Sequence, residues 1–330
     1  SGDIIIPRSI IHNSIEFVIT SIKKNSLKYS YRIESIQFAS DSQVKTIEED
    51  AFSPFLKIII FPSSINELKK GWCIGTVSLN IVKIMPKNQH FKNYNDQLIV
   101  GKTDIKKEDF DVLVFVSRDV KTITIPSNIK IISSYAFSGS LISSISIPPS
   151  VIKICKHAFQ YCDQLLNIQI PTNSNLHKIG KYAFKNTSIT SIYIPSRMTH
   201  ISEGAFSDCI QLQKVEFSQE SYLQFIGKNA FYRTSISSIL IPSHVTQIPI
   251  GAFSHCEKLN DIIFSLDSKL QIIDKYAFFN SSIKNISIPS NVSELKENWC
   301  AGTPKLVNIS IMPNNQHYIY FDDRIILGKI

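Results

Sequence analysis

Along most of this chain apolar residues alternate with polar ones for three or four positions and then stop at a proline. Ile145-Ser146-Ile147-Pro148, Ile192-Tyr193-Ile194-Pro195, Ile239-Leu240-Ile241-Pro242 and Ile286-Ser287-Ile288-Pro289 show it. A period of two is that of a strand, and proline ends a ladder where no further donor is needed. The last inward residue falls at Phe38, Phe61, Ile84, Ile125, Ile147, Ile170, Ile194, Phe217, Ile241, Phe264, Ile288 and Ile311, spaced by 22 to 24 except from 84 to 125. Between strands comes an Ala-Phe pair, with Ala at 136, 158, 183, 205, 230, 252 and 277, in steps that alternate 22 and 25. A fixed period in the twenties marks a solenoid with one repeat per coil. Strands of one polarity, one per coil, pair in parallel, and such crossovers are right-handed. The expected fold is a right-handed solenoid with one long parallel sheet. Short turns or helical stubs lie on the Ala-Phe side, where Phe137, Phe159, Phe184, Phe206, Phe231, Phe253 and Phe278 form a buried spine.

Departures from the pattern divide the single solenoid expected over 1–330. Residues 1–32 lack the Ala-Phe pair and read as a cap or irregular coil, and a first block of coils covers 33–85. Residues 86–119 hold two strand-like runs, Leu98 to Val100 and Val112 to Val116, and read as an irregular excursion or hairpin. The regular array occupies 120–312, and 313–330 begins a second excursion. "ELKKGWCIGT" and "IMPKNQH" return as "ELKENWCAGT" and "IMPNNQH", with Trp72 matched to Trp299 at an offset of 227. A larger unit therefore repeats. In both copies Trp-Cys replaces Ala-Phe, so the coil is expected to widen. Ser1-Gly2 in place of an initiator Met reads as a cloning remnant, and the chain is expected to be a fragment.

A 43% apolar composition suffices for a continuous stacked core, and no run of 18 apolar residues suggests a membrane span. Six cysteines raise the question of disulfides. Cys162, Cys209 and Cys256 recur every 47 residues, hence two coils or roughly 10 Å apart, beyond the reach of about 7 Å that a disulfide allows. Free thiols acting as small core side chains are one reading; a local Cys155 to Cys162 bridge is the other. No C-x-x-C or Cys/His pairing supports a metal site, and the histidines form no column. No hydrolase, phosphate-loop or paired-carboxylate motif appears, so neither catalytic, cofactor-binding nor metal-binding residues are assigned, and an enzyme is not expected.

A net charge of +8 and a pI near 9.0 raise nucleic acid, anionic glycans and membrane surfaces as partners. The basic residues scatter over the return side, for example Lys130, Lys153, Lys178, Arg197 and Lys275, without the aromatic interleaving that stacks bases. Nucleic acid is therefore not expected, and a membrane only through a segment outside this chain. The outward mid-strand row is mostly Ser, Thr and Gln, but Tyr193, Leu240 and Ile263, with Glu216 among them, form an apolar strip roughly 15 Å long at ~4.8 Å per coil. Such a strip with a polar surround suits a protein partner. Alternatively these side chains only strengthen the strands, and a partner binds the turns or the 86–119 excursion. Asn186, Asn280, Asn285, Asn291 and Asn308 open Asn-x-Ser sequons, which chance also produces in a chain this rich in Asn and Ser.

The coil text "LISSISIPPSVIKICKHAFQYCDQLLNIQIP", with its Ala-Phe-x-x-Cys-x-x-Leu, resembles the BspA-like branch of leucine-rich repeats over about 33 to 312. "ELKKGWC", "IMPKNQH" and "DVLVFVSRDVKTITIPSNIKIISSYAF" resemble more narrowly the BspA-like set of the parasite Trichomonas. The resemblance implies a leucine-rich-repeat fold, no catalytic residues and a role at the cell surface, as antigen or adhesin binding host proteins, matrix or other cells. The sequence departs from the pattern where Ser follows Phe217 and Phe264 instead of Pro, and in the two Trp-Cys coils. The other functional class left open is an intracellular interaction scaffold, which free cysteines would suit.

Overall fold

A computed structural model describes residues 2–94, 96–322 and 325–328, with backbone alone at 320–322 and 325–327. Its secondary structure is strand and turn, with no helix among the described residues. The coils group into two compact units, residues 1–142 with 158–162, and residues 143–157 with 163–330.

In the first unit, Asp3–Ile6, Ser35–Phe38, Ile58–Phe61 and Ile81–Ile84 pair in parallel in that order. Alternation sends Ile36, Phe38, Ile59, Phe61, Val82 and Ile84 into the core. An antiparallel hairpin, Ser9–His12 with Ile15–Val18, follows the first strand, turning through Asn13 and Ser14 in left-handed conformations. The edge of Ile81–Ile84 is not open: the Asn93 side-chain amide takes the Ile84 N–H (2.9 Å) and donates to its carbonyl (3.0 Å). The strand expected to end at Ile125 does not form, although Ile125 is buried.

Residues 86–119 hold three antiparallel strands, Phe91–Tyr94, Leu98–Gly101 and Val112–Val116, the last pairing onward in parallel with Ile131–Ile132. Leu98 to Val100 and Leu113 to Val116 are buried. Trp72 is buried and packs 5.4 Å from Phe61 and 5.5 Å from Phe115, so the excursion supplies a ring against it. Arg118 then enters the core, 2% exposed, with its guanidinium 4.6 Å over the Phe115 ring. With no carboxylate partner among the described residues, it donates to the carbonyls of Val116, Tyr135 and Ala136 and to the Cys73 sulfur. Burial pushes the guanidinium pKa down from its ordinary value.

In the second unit the strand face is built in segments instead of the one long sheet expected. Ser144–Ser146 pairs with Asn167–Gln169, Ser191–Ile194 with Lys214–Phe217, Ser238–Ile241 with Asp261–Phe264, and Asn285–Ile288 with Asn308–Ile311. These are the steps of 23 residues between inward strand ends. At the steps of 24, bonding is limited to strand starts, as from Thr190 N to Leu166 O and from Lys284 N to Asn260 O, with one bridge at Asp261 and Asn285. The return after Ile170, Phe217 or Phe264 reaches its next spine Phe in 14 residues rather than the 12 taken after Ile194 or Ile241. The longer arc leaves the following strand unladdered beyond its start. A second parallel row of two-residue strands, beginning Lys153–Ile154, Lys178–Ile179, His200–Ile201 and Phe225–Ile226, runs along the return.

The Ala-Phe arcs are turns, not helical stubs. The residue before each Ala has positive φ (Tyr182, Gly204, Asn229, Gly251, Tyr276), and so does the one two after each Phe (Asn186, Asp208, Arg233, His255, Asn280). Two left-handed residues this close leave too few right-handed ones for a helical turn. The arcs bond to each other instead: Phe184 N to Ala205 O, Phe206 N to Ala230 O and Phe253 N to Ala277 O, each 2.8 Å. Phe184, Phe206, Phe231, Phe253 and Phe278 are fully buried and stacked 5.4 to 5.7 Å apart. In the first unit Phe137 stacks on Phe159 at 4.5 Å.

Candidate functional site

Strand alternation decides what the face of the second unit shows. Inward residues such as Ile192, Val215, Ile239 and Ile262 are buried, and the intervening ones point out. Tyr193 stands opposite Glu216 and Leu240 opposite Ile263 on their ladders. Leu240 and Ile263 are 51% and 52% exposed, while Tyr193 is half-buried. Glu216 is ion-paired with Lys214 on its own strand, so its charge is met on the face. The next pair is polar: Ser287 bonds Ser310 (2.7 Å), and Asn308 donates to Asn285 (2.8 Å).

Sequence alternation missed two apolar side chains at the ends of these strands. Leu266 is 88% exposed in the turn after Phe264, and Tyr222, 55% exposed, lies beside the His244 ring in the turn after Phe217. Both sit on the long returns, and the signal was Ser218 and Ser265 in place of proline.

The remaining chemistry is structural. All six cysteines are free, and Cys73, Cys162, Cys209 and Cys256 are buried. Burial pushes the thiols of Cys162 and Cys256 up to about 11 and that of Cys209 to about 12, which leaves them protonated and unreactive. Each donates to the carbonyl of a spine phenylalanine, Phe137, Phe184 or Phe231, at 3.0 to 3.1 Å. Each also contacts a hydroxyl, of Ser140, Thr187 or Thr234. Among the described residues no group of three His, Cys, Asp or Glu side chains could hold a metal ion. Of the sequon residues, Asn285, Asn291 and Asn308 are exposed, and Asn186 and Asn280 are half-buried.

A family model for the BspA type leucine rich repeat region matches residues 8–95, 110–213 and 177–307, in six copies. The chain belongs to the BspA-type leucine-rich repeat family. The Ala-Phe-x-x-Cys signature of these BspA-type coils is thus a buried ring, a left-handed turn and a thiol that closes the turn onto its neighbour. The same solenoid fold occurs in a leucine-rich repeat protein of Eubacterium ventriosum, with 18% identity, a TM-score of 0.57, and 86% of this chain and 80% of that one covered. A leucine rich cell surface protein of Faecalibacterium prausnitzii also aligns, at 19% identity and a TM-score of 0.45 over 94% of this chain and 81% of that one. No curated protein matches the chain. BspA-type repeats are protein-interaction modules, and their columns here hold packing groups, not reacting ones.

Proposed function

We propose that this BspA-type array is a non-enzymatic binding module of a cell-surface antigen or adhesin, and that its strand face carries the contact with host proteins, matrix or other cells. The observation that supports it is the exposed pair Leu240 and Ile263 on one ladder, with Leu266 exposed in the turn that follows and the polar Asn285–Asn308 pair on the next strands. Exposed β-branched and leucine side chains side by side on a ladder cost solubility, and a partner that buries them recovers roughly 25 cal/mol per Å² of apolar surface. Glu216, held by Lys214, adds a polar contact within the strip. Glycans on Asn285, Asn291 or Asn308 would fit an exported protein.

Six free cysteines favour an intracellular scaffold as the second reading. Four of them are buried, which makes them compatible with an oxidising environment as well. Immunolabelling of intact against permeabilised cells that make the protein separates the two. Labelling of intact cells is the expected result; labelling only after permeabilisation would assign the scaffold role.

A further inference from the structure

A cavity of about 510 Å³ opens in the first unit between the end of Ile81–Ile84, the strand Phe91–Tyr94 and residues 102 and 110. The residues around it include Lys87, Lys92, Lys102, Phe91 and Phe110, and no Asp or Glu among the described residues. Among the described residues none of the three lysines has a carboxylate within ion-pair distance, whereas Lys83 close by in sequence pairs with Asp96. Lys102 Nζ lies 4.8 Å from the Phe110 ring centroid.

The walls are fixed in advance. The Asn88 amide donates to Ser63 O (2.9 Å) and Ile65 O (2.6 Å), and its oxygen accepts from His90 N (2.8 Å) and Phe91 N (2.7 Å). Asn93 is likewise consumed by Ile84. The duplicated module supplies an internal control, because Asn315 also makes four bonds, three of them at the matching positions and the fourth to Pro289 O, one residue earlier. There the counterparts of Lys87 and Lys92 are Asn314 and Ile319, so this turn and strand do not need lysine. Lys87 is moreover left-handed (φ 71°), as is Asn314 (φ 67°). Asparagine tolerates that conformation and lysine does so poorly. A strained, unpaired cation where the twin module uses a comfortable neutral residue points to function.

We propose that this cavity binds an anionic glycan, with the three ammonium groups meeting sulfate or carboxylate substituents and the two phenyl rings packing on the sugar's C–H faces. An acidic peptide is the poorer fit. A peptide gains its main-chain bonds by extending a sheet edge, and the Ile84 edge is already occupied by Asn93. The site is in the first unit and does not depend on the protein-binding strip.

The test is titration of the whole chain with a heparin-derived hexasaccharide, its desulfated counterpart and a poly-glutamate peptide at ~150 mM salt, where long-range charge is screened. Lys87→Asn and Lys92→Ile, which install the twin module's residues, are combined with Lys102→Gln. Lys228→Gln, Lys269→Gln and Lys305→Gln remove the same charge from the second unit. The sulfated probe should bind, lose about tenfold or more in affinity with the first triple variant and less than about twofold with the second. Lys87→Asn alone should raise the melting temperature while weakening binding, which a merely structural lysine would not do. Equal losses in both triple variants, no binding to the unmodified chain, or tighter binding of poly-glutamate would each overturn the assignment.

Discussion

Truncating Phe206 to alanine removes the ring at the middle of the second unit's spine. The ring is fully buried and stacks on Phe184 and on Phe231, both at 5.4 Å with planes within 9° of parallel. Buried Phe to Ala changes cost roughly 3 to 5 kcal/mol, and each aromatic pair adds about 0.5 to 1.5 kcal/mol beyond burial. With two pairs lost and neighbouring coils held by Phe206 N to Ala230 O and Phe184 N to Ala205 O, little collapse can fill the cavity. We therefore expect a loss of about 4 to 5 kcal/mol. In a one-dimensional array that loss appears first in adjoining coils, so hydrogen exchange should accelerate at 180–235 before it does near 285. Urea unfolding gives the total, and exchange gives its location. A loss under about 1 kcal/mol, or acceleration spread evenly over the unit, would refute the stacked-spine account.

Three further outcomes follow from named contacts. Burial raises the Asp111 pKa, but bonds from Thr103 N (2.9 Å) and Thr103 Oγ1 (2.8 Å), with Lys130 at 3.5 Å, outweigh it and hold the carboxyl below its ordinary value. A depressed folded pKa gives stability that is full above the unfolded value of about 3.9 and lost as pH falls through the folded one. Stability against pH should show this acid limb, and Asp111→Asn should shrink it without removing it, because Glu48, Glu203, Asp267 and Glu297 are also held below their ordinary values. Thr234 bonds Phe231 O (3.0 Å) and Cys256 Sγ (3.3 Å), whereas the buried Ser281 hydroxyl, in a repeat followed by one where Thr303 stands in the cysteine position, has no hydrogen-bond partner among the described residues. Thr234→Ala should cost about 1 kcal/mol in a chemical melt and Ser281→Ala should cost nothing or stabilise slightly. Thiol labelling of the native protein near pH 8 should leave Cys73, Cys162, Cys209 and Cys256 unmodified, since burial raises all four pKa values, and denaturant should release all six.

The parallel solenoid was legible because its period is carried by apolar side chains that stay in one place, Ala-Phe and the Ile-x-Ile-Pro strand ends. What escaped is carried by backbone. Whether the Ala-Phe arc is helix or turn depends on left-handed residues at positions filled by Tyr, Gly, Asn, His, Asp and Arg alike, which share no composition. The second row of strands is two residues long, too short to show a period. The broken ladder follows from two residues added to alternate returns, visible in the spacing but silent about hydrogen bonds. Arg118 and Cys73 meet across 45 residues of sequence, and the basic cavity draws Lys87, Lys92, Lys102 and Phe110 from separate turns and strands. For the protein-binding strip, alternation identifies which residues of a strand face outward, but Leu266 lies in a turn where alternation has no meaning.

The most direct test of the binding-face account is to change Tyr193, Leu240 and Ile263 together to serine and measure binding to host cells and to extracellular-matrix proteins beside a thermal melt. None of the three is in the fully buried core, so the melt should shift little, while affinity should fall about tenfold or more if these side chains form the buried centre of the contact. Unchanged binding with an unchanged melt would contradict the account, and loss of binding on altering only residues 86–119 would move the contact to the excursion.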